Sequence, residues 1–110
     1  MSAHIALIKG DGIGADVCDA TTYLVDLCLR LVCEAPLAIT KIDAGAAYFQ
    51  ETGADIEAGG EDTAGKCDAI FLGAIGLPSV RHPNRTEISP HLRLRERFQL
   101  YAGLRPVKAY

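Results

Sequence analysis

The stretch HIALIKGDGIGADV (residues 4–17) decides how the rest of the chain is read. Its first five residues, His4–Ile8, are largely apolar and partly β-branched, which suits a buried strand. Gly10-Asp11-Gly12 breaks that run with a tight loop, and a helical pattern follows. From residue 15 to about residue 34, Val17, Ala20, Thr21, Leu24, Val25, Cys28, Leu31 and Val32 recur at spacings of three and four. Such a wide apolar stripe suits a helix packed on a sheet. Pro36 is expected to stop the helix.

Working outward, residues 37–42 (LAITKI) read as a second strand and residues 44–50 as a short helix ahead of Gly53. A short helix is expected around residues 56–64, inside a polar, Gly-rich stretch. Residues 68–72 (DAIFL) form the clearest strand after the first, with Gly73, Ala74, Ile75 and Gly76 at its carboxyl end. Residues 77–87 hold two prolines, Asn84 and two arginines and read as an exposed loop. Ser89-Pro90 opens a last helix, with Ser89 able to cap it and Pro90 at its first position. That helix is expected to run to about Tyr101 and end at Gly103, with residues 104–110 extended beyond it. Alternating strands and helices imply an α/β fold, a mainly parallel sheet flanked by helices. Ligands in such sheets bind at the carboxyl ends of strands, so the two Gly-rich loops are placed to share one rim.

Composition narrows the function. The chain has 110 residues, 11 Lys+Arg, 14 Asp+Glu and a net charge of −3. Residues 1–80 carry four basic and twelve acidic side chains; residues 81–110 carry seven basic and two acidic. A basic end on an acidic body points to an anionic partner for that end. The overall acidity argues against a nucleic-acid binder. No apolar run approaches the roughly 18 residues of a membrane span. The first eleven residues lack a signal-peptide layout, which points to the cytoplasm. Cys18, Cys28, Cys33 and Cys67 form no CxxC pair and are expected to be buried, reduced thiols.

The candidate sites leave alternatives open. Residues 10–14 follow a strand and open a helix, which suits either a tight turn or a ligand loop. Their spacing is GxGxG and not the dinucleotide fingerprint, and Asp11 would repel a phosphate placed on it. Gly73, Ala74, Ile75 and Gly76 allow either close packing or a flat ligand edge. On the last helix, at about 100° per residue, Leu94, Phe98, Tyr101 and Ala102 share one core-facing arc. Arg93 and Arg97 project roughly opposite, into solvent, and Arg95 lies at the edge of the arc, about 60° from Phe98. Arg95 either snorkels or is aimed at an anion in a cleft. Arg105, ten residues on and next to Pro106, makes a second guanidinium available to grip a dicarboxylic acid. Arg81 and Arg85 read as solvated charges, and His82 and His91 as inert unless they orient a substrate. Asp16, Asp19 and Asp26 line the first helix's polar side, Glu61 and Asp62 sit together, and no carboxylate cluster resembles a metal site or a nucleophile with its base.

Four landmarks together resemble the N-terminal segment of the β-decarboxylating hydroxyacid dehydrogenases, the family of isocitrate, isopropylmalate, homoisocitrate and tartrate dehydrogenases. They are IALIKGDGIGADV (5–17), DAGAAYFQETG (43–53), DAIFLGAIGLP (68–78) and LRLRERFQLYAGLRPVKAY (92–110). The last is the most specific, with ten residues from Arg95 to the arginine of its LRP. The resemblance covers essentially the whole chain but only the first third or so of such an enzyme. It implies oxidation of a malate-type 2-hydroxy acid by NAD or NADP and loss of its β-carboxylate, assisted by Mg²⁺ or Mn²⁺. Arg95 and Arg105 fall on the family's substrate-carboxylate arginines. Ile13, and Gly73, Ala74, Ile75 and Gly76 with the loop after them, fall near the cofactor. The substrate is then a small dicarboxylate or tricarboxylate, and the full-length enzyme a homodimer.

The chain departs from the family in places. GDGIGAD stands where GDGIGPE is usual. Isopropylmalate enzymes carry two leucines just before the first arginine; His91 and Leu92 stand there. Isocitrate enzymes carry Ser and Asn six and four residues before it; Ser89 matches and His91 does not. Ser89 is thus a substrate contact or the helix cap, and the cap is favoured. The family's third arginine, catalytic Tyr and Lys, and metal-binding aspartates fall beyond residue 110, and Tyr110 is not at the catalytic tyrosine's place. The expectation is a single incomplete α/β domain over residues 1–110, with no catalytic and no metal-binding residue of its own, inactive as a fragment. A non-catalytic module binding an anionic metabolite, or a piece that associates with a complete subunit, is the alternative. Its unfinished sheet would leave it aggregation-prone or poorly ordered.

Overall fold

The computed structural model describes residues 2–109; Tyr110 lies outside them. The order is β1 (His4–Ile8), α1 (Ile13–Leu31), β2 (Ala38–Lys41), α2 (Ala46–Thr52), α3 (Gly60–Gly65), β3 (Ala69–Leu72) and α4 (Pro90–Arg97). The strands form one parallel sheet in the order β2-β1-β3, with His4 opposite Ala38 and Ile5 opposite Ala69. This is the α/β fold expected, with β1 central.

Side chains alternate across a strand, so β1 sends Ala6 and Ile8 to one face and Ile5 and Leu7 to the other. The first face is closed. Ala6 and Ile8 join Ile42, Ala44, Ile56, Ala64 and Leu94 in the buried core, with Ile70, Ile75 and Phe98 packed against it. Complete burial of a side chain the size of Ile8 or Leu94 contributes about 1.5–3 kcal/mol. The second face lies under α1 and is open. A cavity of ≈ 380 Å³ separates them, lined by Ile5, Leu7, Val25, Leu29, Ile39 and Phe71 among others. Only Gly14 and Cys18 of α1 are buried. Much of the expected apolar stripe therefore faces outward: Val17, Leu24, Leu31 and Val32 are all exposed.

Two helices end earlier than expected, for the same backbone reason. At α1, the N–H of Cys33 bonds to Arg30 O and that of Glu34 to Leu29 O, with Cys33 at φ 58. At α4, the N–H of Gln99 bonds to Glu96 O and that of Leu100 to Arg95 O, with Gln99 at φ 51. Both are Schellman closures with a non-glycine residue in the left-handed position. They stop the helices ahead of Pro36 and Gly103, the residues expected to do so. As a result Tyr101 and Ala102 leave the core-facing arc and are exposed, whereas Leu94 is buried and Phe98 half-buried.

The cysteines also divide. Cys18 is buried, Cys67 is half-buried, and Cys28 and Cys33 are exposed because the outer side of α1 and its C-terminal turn face solvent. Burial pushes the Cys18 thiol above its ordinary range; Lys9 partly opposes this and Asp19 adds to it.

Candidate functional site

The carboxyl ends of β1 and β3 carry the two Gly-rich loops, and the structure joins them at one rim. Its centre is Asp11, 3% exposed. Its carboxylate accepts the N–H groups of Gly76 at 2.6 Å and Ala46 at 2.8 Å on Oδ2, and that of Ala47 at 2.8 Å on Oδ1. Its own backbone N–H donates to Ala74 O at 2.7 Å. One side chain thus ties the loop after β1, the loop after β3 and the first turn of α2. That helix begins at Gly45 with no side-chain cap of its own. Asp11 supplies the missing acceptor from 35 residues away.

This arrangement explains the glycines. A Cβ on Gly10 would lie 2.1 Å from Ala74 O, and one on Gly73 would lie 2.1 Å from Lys9 O. A Cβ on Gly45 would lie 2.7 Å from the Asp11 carboxylate. These positions serve loop-on-loop and loop-on-carboxylate contact. Gly12 and Gly76, at φ 51 and 115, border open space instead.

The expected cofactor-side residues therefore divide. Gly73 and Ile75 are half-buried in the packing, and Ala74 and Gly76 are exposed at the rim with their backbone groups held by Asp11. Ile13, 68% exposed at the start of α1, offers an apolar surface beside them. A cavity of ≈ 190 Å³ opens next to Gly76, bordered by Ile75, Leu77, Val80, Arg81 and Ile88. An apolar ring edge fits Ile13 and the Ala74–Gly76 backbone. Of the two loops' N–H groups the Asp11 carboxylate occupies that of Gly76, and its negative charge opposes a pyrophosphate placed between them.

The arginines sort by partner. Arg93 pairs with Asp55 at 3.0 Å and with Glu61; Arg97 pairs with Glu61 at 2.6 Å and with Asp62. Both are exposed, as expected, but they are also ion-paired and tie α4 to the acidic segment 55–62. The hydrogen bond to Glu61, with Asp62 close by, holds the Arg97 guanidinium above its ordinary range. Arg81 pairs with Glu87 at 2.8 Å. Arg95 and Arg105 are exposed, on α4 and on the segment after it, and neither has an ion-pair partner among the described residues. Ser89 is half-buried; its hydroxyl donates to Glu87 O at 2.9 Å and makes no capping hydrogen bond. The favoured capping role is therefore not the one it plays. His82 meets Phe49 edge-on, ring centroids 4.9 Å apart. His91 is half-buried, and its Nδ1 is buried without a hydrogen-bond partner.

Among the described residues, no three His, Cys, Asp or Glu side chains gather to hold a metal ion. The acidic groups that do gather, Asp55, Glu61 and Asp62, are taken by Arg93 and Arg97. This donor set does not fit a divalent cation, so no step is assigned to a metal on these residues.

The packing account predicts a contrast between two glycines. Gly73→Ala is expected to lower stability in urea unfolding by about 3 kcal/mol or more, because its Cβ would lie 2.1 Å from a backbone carbonyl that cannot swing aside. Gly76→Ala, with space around it, is expected to cost only the roughly 1–2 kcal/mol of its backbone conformation. A Gly73→Ala protein as stable as the parent would contradict the loop contact.

The chain has clear relatives. A 3-isopropylmalate dehydrogenase from Bacillus licheniformis is 38% identical over 119 residues, covering 100% of this chain and 30% of the relative. One from Sodalis glossinidius is 32% identical over 113 residues, covering 97% and 30%. The crystal structure of a β-decarboxylating dehydrogenase from Thermococcus kodakarensis, in its apo form, superposes with a TM-score of 0.66 at 28% identity. That superposition covers 92% of this chain and 28% of the other. The chain thus spans about 30% of the length of the relatives it matches. The family model for isocitrate/isopropylmalate dehydrogenases matches residues 4–110, and with the fold in agreement this chain belongs to that family.

Proposed function

We propose that this chain supplies the carboxylate-binding edge of an NAD(P)-dependent, Mg²⁺- or Mn²⁺-assisted oxidative decarboxylase of the cytoplasm. The substrate is a malate-type 2-hydroxy acid related to isocitrate or isopropylmalate. Arg95 and Arg105 each grip a substrate carboxylate through paired N–H donors. Ser89, six residues before Arg95, is a further substrate contact. Ile13 and the loop of Gly73, Ala74, Ile75 and Gly76 border the nicotinamide half of the cofactor, which supplies the hydride acceptor when bound. The Asp11 hydrogen bonds hold that loop in place and so keep the border fixed. His91 and Leu92 stand at the places of the isopropylmalate enzymes' leucine pair, of which only the second is matched, so the chain fits neither subgroup cleanly.

The observation that carries this reading is the contrast among the α4 arginines. Arg93 and Arg97 are neutralised by acidic partners, whereas Arg95, and Arg105 beyond the helix, have no ion-pair partner among the described residues. These residues bind and orient; the reacting acid, base and metal ligands belong to the family's later segments, and the enzyme is proposed to work as a homodimer when complete. Calorimetric titration of the chain with isopropylmalate, isocitrate and D-malate tests the clamp. Arg95→Ala and Arg105→Ala are each expected to weaken binding by roughly 10–100-fold, the value of a charge-assisted contact of about 1.5–3 kcal/mol. Parental affinity in both variants would contradict it. Reduction of NAD⁺ or NADP⁺ by the 110-residue chain would contradict its proposed inactivity alone.

A second reading, association with another subunit, is favoured by the open α1 layer. Ile13, Val17, Tyr23, Leu24, Leu27, Leu31 and Val32 are all exposed along one helix and its end. Apolar surface on that scale is commonly covered by a partner. Sedimentation velocity is expected to show concentration-dependent self-association; a monodisperse monomer that melts cooperatively would argue against this reading.

A further inference from the structure

The acidic segment 55–62 has no part in the site as described, yet it contacts the helix that carries Arg95. Glu61 is the centre of that contact. Its side chain is only 17% exposed, and its two carboxylate oxygens take different arginines, Oε1 from Arg93 and Oε2 from Arg97. Asp55, 19% exposed, and Asp62 flank it on the same arginines. Isolated surface ion pairs contribute little, but a shared network built on two half-buried carboxylates fixes geometry because every member restrains the others.

Helix geometry turns that restraint into a direction. Arg93 and Arg97 lie about 40° apart around α4, and Arg95 lies about 180° from their midpoint. Fastening the first two to α3 therefore sends Arg95 outward from the opposite side. A second contact sits one turn on: a Cβ on Gly65, at the end of α3, would come within 3.1 Å of the Phe98 ring.

We propose that Glu61 is a positioning residue: by holding Arg93 and Arg97 with its two oxygens, it sets the rotation of α4 on α3 and so aims Arg95 at the substrate carboxylate. The inference rests on the carboxylate-clamp reading for its purpose, but the setting of α4 stands or falls separately. Simple electrostatics predicts the opposite effect on binding. Removing the negative charge of Glu61 from the neighbourhood of an anion site should strengthen dianion binding, so a loss of affinity reports the positioning role.

The test uses the 110-residue chain with D-malate as the probe and two readouts. The first is calorimetric affinity; the second is the nuclear Overhauser contact between the Gly65 α-protons and the Phe98 ring. Glu61→Gln is expected to weaken D-malate binding by about fivefold or more and to diminish the Gly65–Phe98 contact. Glu61→Asp keeps two accepting oxygens for Arg93 and Arg97 and is expected to retain more of both than Glu61→Gln. An unchanged contact in Glu61→Gln would overturn the proposal, as would equal or tighter D-malate binding. If the parent binds no D-malate, the clamp reading fails, and the Gly65–Phe98 contact alone then decides the setting of α4.

Discussion

A carboxylate that is almost completely removed from water must find donors within the protein, and Asp11 finds three backbone N–H groups on two other segments of the chain. Each charge-assisted bond of this kind is worth about 1.5–3 kcal/mol against losing it, and together they offset the cost of burying the charge. The rest of the rim follows from that requirement. The loop after β3 must come close enough for Gly76 to donate, which brings Ala74 against Gly10 and Gly14 and leaves no room for a side chain at Gly73. The loop before α2 must also approach, which leaves none at Gly45. A sequence pattern that resembles a phosphate cradle is thus mostly a set of clearances around one side chain.

Parallel pairing puts the ends of β1 and β3 side by side, so the joined loops form one rim. The closed face of the sheet buries Leu94, while Glu61 fixes the opposite character of two neighbouring arginines on the same helix. Arg95 is left unpaired among them. The basic end noted in the sequence is therefore divided by its partners: Arg81, Arg93 and Arg97 are ion-paired within the fold, whereas Arg95 and Arg105 have no ion-pair partner among the described residues.

Much of this was legible beforehand. His4–Ile8 and residues 68–72 carry unbroken apolar runs between strong breakers, so both strands and the parallel order followed from local pattern. The helix ends were less legible, because Cys33 and Gln99 adopt the left-handed conformation that a reader assigns to glycine. The fate of Arg93 and Arg97 depended on the segment 55–62 folding back to meet them, a contact that no spacing within α4 reveals. Asp11 was the largest surprise. It reads as an obstacle to a phosphate, although one signal was present: α2 begins at Ala44-Gly45-Ala46 without any residue able to cap it. An uncapped helix start and an unexplained acidic residue in a glycine loop are each weak signals; together they point to a long-range cap. The open layer beneath α1 was legible only in part, since an amphipathic stripe shows that a surface will be covered and not by what.

Asp11 is the one side chain linking three segments, and backbone amide hydrogen exchange on an Asp11→Ala chain tests that most directly. Alanine removes both accepting oxygens at once. The amides of Ala46, Ala47 and Gly76 should lose protection together, by roughly tenfold or more. The Gly73 amide, bonded to Ile8 O at 2.8 Å, should stay protected. Unchanged protection at all three amides, or loss at one alone, would contradict the claim that this carboxylate holds the rim together.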